Sequence, residues 1–336
     1  MALGPRESGE HIVKNAQFLK VLPKGIHMLA EEVISRIQTG QLDPKQFSQT
    51  EVHPKASDPN AIEWIFVVDT LNFCFWTPSD YTKYKVNGYT GYFALCAAIN
   101  RAMEEGIDIT NAEFYSKIDA DTLRRIFRSD DEVTSVSLFE ERIVCLHEVG
   151  NRLVKFWQGK FVNVVRAAQN SAERLLGMVV NEFPCFRDEA DFAGQRVSLY
   201  KRAQILIGDI WSCFNGKDIG KFTDIEKITM FADYRVPQVL IHFGSLEYTP
   251  ELLNILKKDT ILKNGDSREV EIRGASIYIV EKVKDVILRK IHGKEVELKK
   301  NYVNSVIIDH FLWDYRRKHA DELEHIPFHK VLSIYY

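Results

Sequence analysis

The sequence predicts a mainly α-helical, single-domain protein with a small β element near residues 62–76. Apolar residues recur at helical spacing through most of the chain, and only one segment is dense in β-branched and aromatic residues. No Pro/Gly/Ser-rich linker, low-complexity tract or internal repeat divides it. With 336 residues, 45% hydrophobic and 27% charged, the chain can bury a large core. The domain is expected to span 1–336, with 1–10 flexible; two closely packed helical lobes would give the same pattern.

In PKGIHMLAEEVISRIQTG, Ile26, Leu29, Ala30, Val33, Ile34 and Ile37 form one apolar stripe. Pro23 suits the first turn of that helix and Gly40 its end. The run WIFVVDTLNFCFW, 64–76, reads as one or two strands. Helical faces follow over 92–105, 138–157, 161–183 and 203–214, and Thr110 with Glu113 makes a T-x-x-E capping box. Thr223 and Glu226 make a second box, so a helix is expected from Asp224, burying Ile225, Ile228 and Phe231 or Ala232. Pro237 ends that helix and opens another, PQVLIHF, which Gly244 closes. Asp233 then stands at an elbow between two helices. EVEIRG, 269–274, opens an amphipathic helix through Val280, Val283 and Ile287, with charges expected to be structural. In NYVNSVIIDHFLWDYRRKH, helical spacing puts Asp314 on the face of Val306, Ile307 and Phe311, directed to the core.

The formal net charge of −3 supplies no global field for a nucleic-acid backbone, but leaves room for a small anion on local cations. Five widely spaced cysteines in apolar runs, with no CxxC pair, read as reduced core thiols. MALGPRESGEHIVKN has no apolar signal-peptide core, and no run of 18 apolar residues spans a membrane, so a cytoplasmic protein is expected. P-loop, G-x-G-x-x-G, G-x-S-x-G and H-E-x-x-H motifs are all absent. His325 and His329 are interrupted by Pro327, a poor metal pair.

Two carboxylates stand out. An aspartate at a helix junction is most often a cap or an ion-pair partner, here of Arg235; Asp233 is nevertheless a catalytic candidate, because its neighbours are apolar and a retained buried carboxylate often marks function. Asp314 is read as lacking an adjacent cation, since Arg316, Arg317 and Lys318 are taken to project elsewhere; two side-by-side N–H donors of a ligand would satisfy it. Lys201 and Arg202 precede an apolar helical run and either meet a phosphate or cap a solvated helix end. His53, in the turn-rich EVHPKASDPN, is the weakest candidate.

Taken together, DTLNFCFW (69–76), YKRAQIL (200–206), MFADYRVPQVL (230–240), EVEIR (269–273) and FLWDYRR (311–317) resemble the queuosine salvage proteins, the queuosine 5′-phosphate N-glycosylase/hydrolases. The resemblance runs in order from about His11 onward and is strongest to the animal members. It implies a fold related to the helix-hairpin-helix DNA glycosylases and hydrolysis of the N-glycosidic bond of queuosine 5′-monophosphate, releasing queuine for tRNA modification. It implies that Asp233 is the catalytic carboxylate, that Trp313 and Asp314 are part of the base pocket, that Lys201 is on the phosphate side, and that His53 contacts substrate; Phe231 and Tyr234, with Trp313, are expected to offer apolar stacking surfaces, and Ala232 to contact substrate beside them. The implied enzyme needs no cofactor or metal, takes a small-molecule substrate, binds no nucleic-acid polymer or membrane, and is a monomer. The rival readings are a non-catalytic binding module for a modified nucleotide or tRNA, and a nucleic-acid base glycosylase.

Overall fold

A computed structural model of the chain describes residues 2–42, 50–78, 80–298 and 303–336. They are mainly helical, with four small two-stranded sheets. They gather into two compact units, the first made of Met1–Pro44, Asp188–Gln204 and Ile225–Leu332, the second of Lys45–Arg187, Ile205–Asp224 and Ser333–Tyr336.

The first unit is built around the 26-residue helix Ser267–His292, capped by the Asp266 side chain on the Arg268 amide. Its middle is buried on nearly all sides, by the helices Pro5–Lys14, Pro23–Gln38, Val236–His242 and Ser305–Lys318. The N-terminal residues expected to be flexible therefore do structural work: Pro5–Lys14 is a helix that buries Ser8, Gly9 and Ile12. It lies so close that a Cβ on Gly274 would sit 2.4 Å from Ile12 Cδ1. Pro23–Gln38 has the expected bounds, with Gly40 beyond it at φ +72°. Leu19–Val21 pairs antiparallel with Leu246–Tyr248, Glu189–Phe192 with Gln195–Ser198, and Ile261–Leu262 runs parallel to Lys330–Val331.

The second unit centres on the helix Ala61–Thr70, all ten residues of which are buried. Phe66 stacks on Phe161 with centroids 4.0 Å apart, and Phe183 and Phe186 complete the cluster. Glu63 accepts the amides of Phe161 and Val162 at 2.9 and 3.1 Å, capping the helix Phe161–Ala167 in the core. Here the sequence reading is corrected. An apolar run buried on every side has no period to reveal it, so 64–70 read as strand is helix. From Leu71 the chain is irregular, because buried Arg142 donates to the carbonyls of Leu71 and Phe73. Lys85–Val86 and Tyr89–Thr90 form the unit's one hairpin among the described residues.

Three further expectations change. The 161–183 helix is two, Phe161–Ala167 and Ala172–Glu182, because Gln169 and Asn170 adopt φ +53° and +62°. The Thr110 box is replaced by Asn111, which accepts the Glu113 amide. The helix expected from Asp224 shrinks to the single 3-10 turn Ile225–Lys227. Asp224 instead accepts from Ser171 Oγ and the Ala172 amide, capping Ala172–Glu182. The five cysteines are buried free thiols, and no helix of the described residues is long and apolar enough to cross a membrane.

Gly25, in the first turn of Pro23–Gln38, packs on the backbone at Gly244: an added Cβ would lie 2.0 Å from the Gly244 carbonyl. Since neither backbone can yield as a side chain would, Gly25→Ala is expected to cost at least about 1–3 kcal/mol in urea unfolding. An unchanged midpoint would show that the two segments are not in this contact.

Candidate active site

In the first unit the chain from 228 to 235 is without regular structure, yet largely buried. Peptide groups shut away from water need partners, and a non-helical stretch cannot supply its own. Side chains from three helices do so. Gln204, on Lys201–Cys213, accepts the Thr229 amide at 2.8 Å and donates to Thr229 Oγ1 at 2.9 Å and the Leu199 carbonyl at 3.1 Å. Asp309, on Ser305–Lys318, accepts the Phe231 amide at 2.9 Å. Arg273, on Ser267–His292, donates Nε–H to the Ala232 carbonyl at 2.8 Å. The stretch is thus gripped on both sides of Asp233.

Asp233 closes the stretch itself. Its Oδ1 accepts the amides of Arg235 and Val236, both at 2.8 Å, and so starts the helix Val236–His242. Among the described residues its Oδ2 makes no hydrogen bond. The Arg235 guanidinium lies 3.9 Å over the centroid of Phe328, whose ring also packs on Tyr234 at 5.5 Å. One oxygen is committed to the turn, which fixes where the other points.

The surrounding charge is arranged by Arg273, only 1% exposed. Its Nη2 donates to Asp188 Oδ2 at 2.6 Å, and its Nη1 donates to Asp188 Oδ1 and Glu269 Oε1 at 3.0 Å. Asp188 Oδ2 also accepts the Lys201 amide at 3.2 Å, tying that helix start to the same anion. Burial pushes the Glu269 carboxyl up, against the pull of Arg273. Asp309, 4% exposed, is held well above the usual carboxylate range by burial and then by the Asp233 charge; the Phe231 amide and the Lys201 charge oppose this. Burial lowers His310 to about 4, and burial with the Arg273 charge lowers His329 to about 3. Both imidazoles are therefore neutral at physiological pH.

Of the residues singled out from sequence, Phe231, Ala232, Asp233, Tyr234 and Lys201 come together here. Lys201 and Arg202 are buried, which overturns the solvated-helix-end alternative. Asp314 needs correcting: its side chain is 33% exposed, and Lys318 Nζ lies 2.7 Å from Oδ2. Four residues along a helix is one turn, so Lys318 shares its face after all. Trp313 is half-buried beneath the Arg317 guanidinium, 4.8 Å from its centroid. His53 belongs to the second unit, where its Nε2 is 3.0 Å from the Tyr92 hydroxyl, beside a cavity of about 340 Å³.

Sequence reasoning missed Asp309, Arg273, Asp188 and Gln204. Asp309 was legible in principle, as the one charge inside VIIDHF, and Arg273 as a cation on the buried side of its helix. Asp188 carried no local signal.

A profile described as "Queuosine salvage protein" matches residues 52–336. The chain is 43% identical to a Bos taurus protein and 43% identical to a Mus musculus one, each over 99% of both chains. It is 36% identical to a Schizosaccharomyces pombe protein over 98% of this chain and 99% of that one. All three are called queuosine 5′-phosphate N-glycosylase/hydrolase.

Replacing Arg273 by Met leaves Asp188 and Glu269 facing each other without a cation and frees the Ala232 carbonyl. The variant is expected to lose about 3–5 kcal/mol of unfolding free energy, the usual cost of breaking a buried pair. A loss under about 1 kcal/mol would show that this cluster is no stronger than a surface pair.

Proposed function

The chain belongs to the queuosine salvage protein family, and from that premise we propose that it hydrolyses the N-glycosidic bond of queuosine 5′-monophosphate and releases queuine. The observation that supports the reading is Asp233, a carboxylate with one oxygen bound into a buried turn and the other without a hydrogen bond among the described residues. Breaking the bond to the base builds positive charge on the ribose, as in glycoside hydrolysis. A carboxylate beside C1′ stabilises that charge, either electrostatically or by bonding to C1′ and then yielding to water. Water supplies the hydroxyl at C1′ and the proton that the base takes away. Queuine is a 7-deazaguanine and lacks the N7 that purine-cleaving enzymes protonate, so more of the work falls on the ribose side.

Phe231, Ala232 and Tyr234 flank Asp233 in sequence and give it apolar walls, while Lys201 brings a cation for the 5′-phosphate. Trp313 offers a stacking face. Asp314 receives the N1–H and exocyclic amine of the base as a bidentate pair, exchanging its contact with Lys318 for the ligand's donors. The protein acts as a cytoplasmic monomer on the free nucleotide, without cofactor or metal.

The deciding experiment incubates purified protein with queuosine 5′-monophosphate and follows free queuine by mass spectrometry. Release is expected; folded protein that binds the nucleotide without releasing queuine would be a binding module instead. Asp233→Asn should stay folded and bind substrate but lose about 10²–10³-fold or more in kcat, and substantial residual turnover would remove Asp233 as catalyst.

Asp314→Ala is expected to raise KM by about ten- to a hundredfold with little change in kcat, the scale of one bidentate base contact. An unchanged nucleotide affinity would take Asp314 out of the pocket.

A further inference from the structure

We propose that Asp309 is a positioning residue that works as an uncharged carboxylic acid, holding the turn of Asp233 through the Phe231 amide. The geometry comes first. Asp309 lies early in the helix Ser305–Lys318, whose start is fixed by Asn304 accepting the Ile307 amide at 3.0 Å. Its side chain is 4% exposed, and among the described residues its one hydrogen bond is the 2.9 Å contact to Phe231 N–H. Phe231 is two residues from Asp233, and the Ala232 carbonyl between them is held by Arg273. One Asp309 oxygen is therefore spent on the main chain that carries the proposed catalyst.

Charge decides the form of the acid. The charges that act on it are Asp233, from the turn, and Lys201, from the start of the Lys201–Cys213 helix; Arg235 and Arg202 lie on the same two segments. The Ser267–His292 helix packed against it carries Arg273 and Glu269, and its own helix carries His310 and Arg316. Arg273 is engaged by Asp188 and Glu269, Arg235 lies over Phe328, and Arg316 donates to Gln238 and Glu324. His310 is neutral. Lys201 and the Phe231 amide favour the charged form, and the cost of burial with the charge of Asp233 outweighs them. A neutral Asp309 still accepts the Phe231 amide on its carbonyl oxygen and carries its proton on the other. It adds no second negative charge beside Asp233, whose own charge stays available for the ribose. A neutral acid set beside a second carboxyl is a device of other acid pairs with divided roles.

The test rests on the proposed hydrolysis for its kinetic half only. Asp309→Asn keeps an acceptor for the Phe231 amide and cannot ionise. It is expected to retain kcat near neutral pH within about threefold of wild type, whereas Asp309→Ala falls by about tenfold or more, with KM altered much less. Because the proton is lost as pH rises through a raised pKa, wild-type kcat should show a limb that falls with increasing pH, and Asp309→Asn should lack it. An Asn variant as impaired as the Ala one, with both folded by thermal melting, would mean that Asp309 works as an anion and would overturn the proposal. So would an alkaline limb surviving in Asp309→Asn. The second half needs no turnover: in protein labelled with carboxyl-¹³C aspartate, the resonance missing from Asp309→Asn should stay protonated through the ordinary carboxylate range. Titration of that resonance near pH 4 would overturn the proposal even if queuine release is confirmed.

Discussion

The proposed chemistry depends on one constraint, that the main chain from 228 to 235 is buried without being helix or strand. Such a stretch survives only if other parts of the protein satisfy its peptide groups. Gln204, Asp309 and Arg273 do this from three separate helices, with Asp233 closing the far end. Leaving one such group unpaired costs about 1–3 kcal/mol, so each helix is tied energetically to the position of Asp233. The geometry proposed for catalysis is inherited from the packing of these helices, and a carboxylate held this way would need little rearrangement as charge appeared on the ribose.

The same packing creates an electrostatic problem, since Asp188, Asp233, Glu269 and Asp309 converge on few cations. Arg273 resolves half of it by forking across Asp188 and Glu269 with nearly ideal geometry. Glu269 further accepts the Gly265 amide, and Asp188 the Lys201 amide, so these anions find donors on the backbone as well. What remains is the pair Asp233 and Asp309 with Lys201. Burial acts unequally on the two acids, since Asp309 is 4% exposed while Asp233 is only half-buried. Burial holds the Asp309 carboxyl well above the usual carboxylate range.

How much of this was legible in the sequence follows from where each signal resides. Amphipathic helices announce themselves, and Pro23–Gln38 and Ser267–His292 lie where their periodicity put them. Ala61–Thr70 did not, because full burial erases the contrast between faces on which a period depends. The capping box at Thr223 misled for another reason: the Asp224 carboxylate was expected inside a new helix but is used by the older helix Ala172–Glu182, a long-range choice no local rule contains. Around the candidate site, Pro237 and Gly244 correctly bounded Val236–His242, and Asp233 was found because it sits beside them. Its supports were not found, since the contacts of Asp188 with Arg273 and of Gln204 with Thr229 span 85 and 25 positions.

The helix Ser305–Lys318 shows the difference most clearly. Asp309 and Asp314 are both aspartates among bulky apolar residues, but five residues turn an α-helix through about 500°, which leaves them about 140° apart. They cannot face the same surroundings. Asp314 falls on a boundary where Lys318, one turn on, reaches it from solvent. Asp309 falls against the buried turn, where the donor within reach is a peptide N–H. An ion pair at the boundary is weak enough to be exchanged for a ligand's donors, whereas an acid sealed against main chain is suited to hold its neighbours still. Identical side chains therefore take different work from one helix, and it is the rotation between them that assigns it.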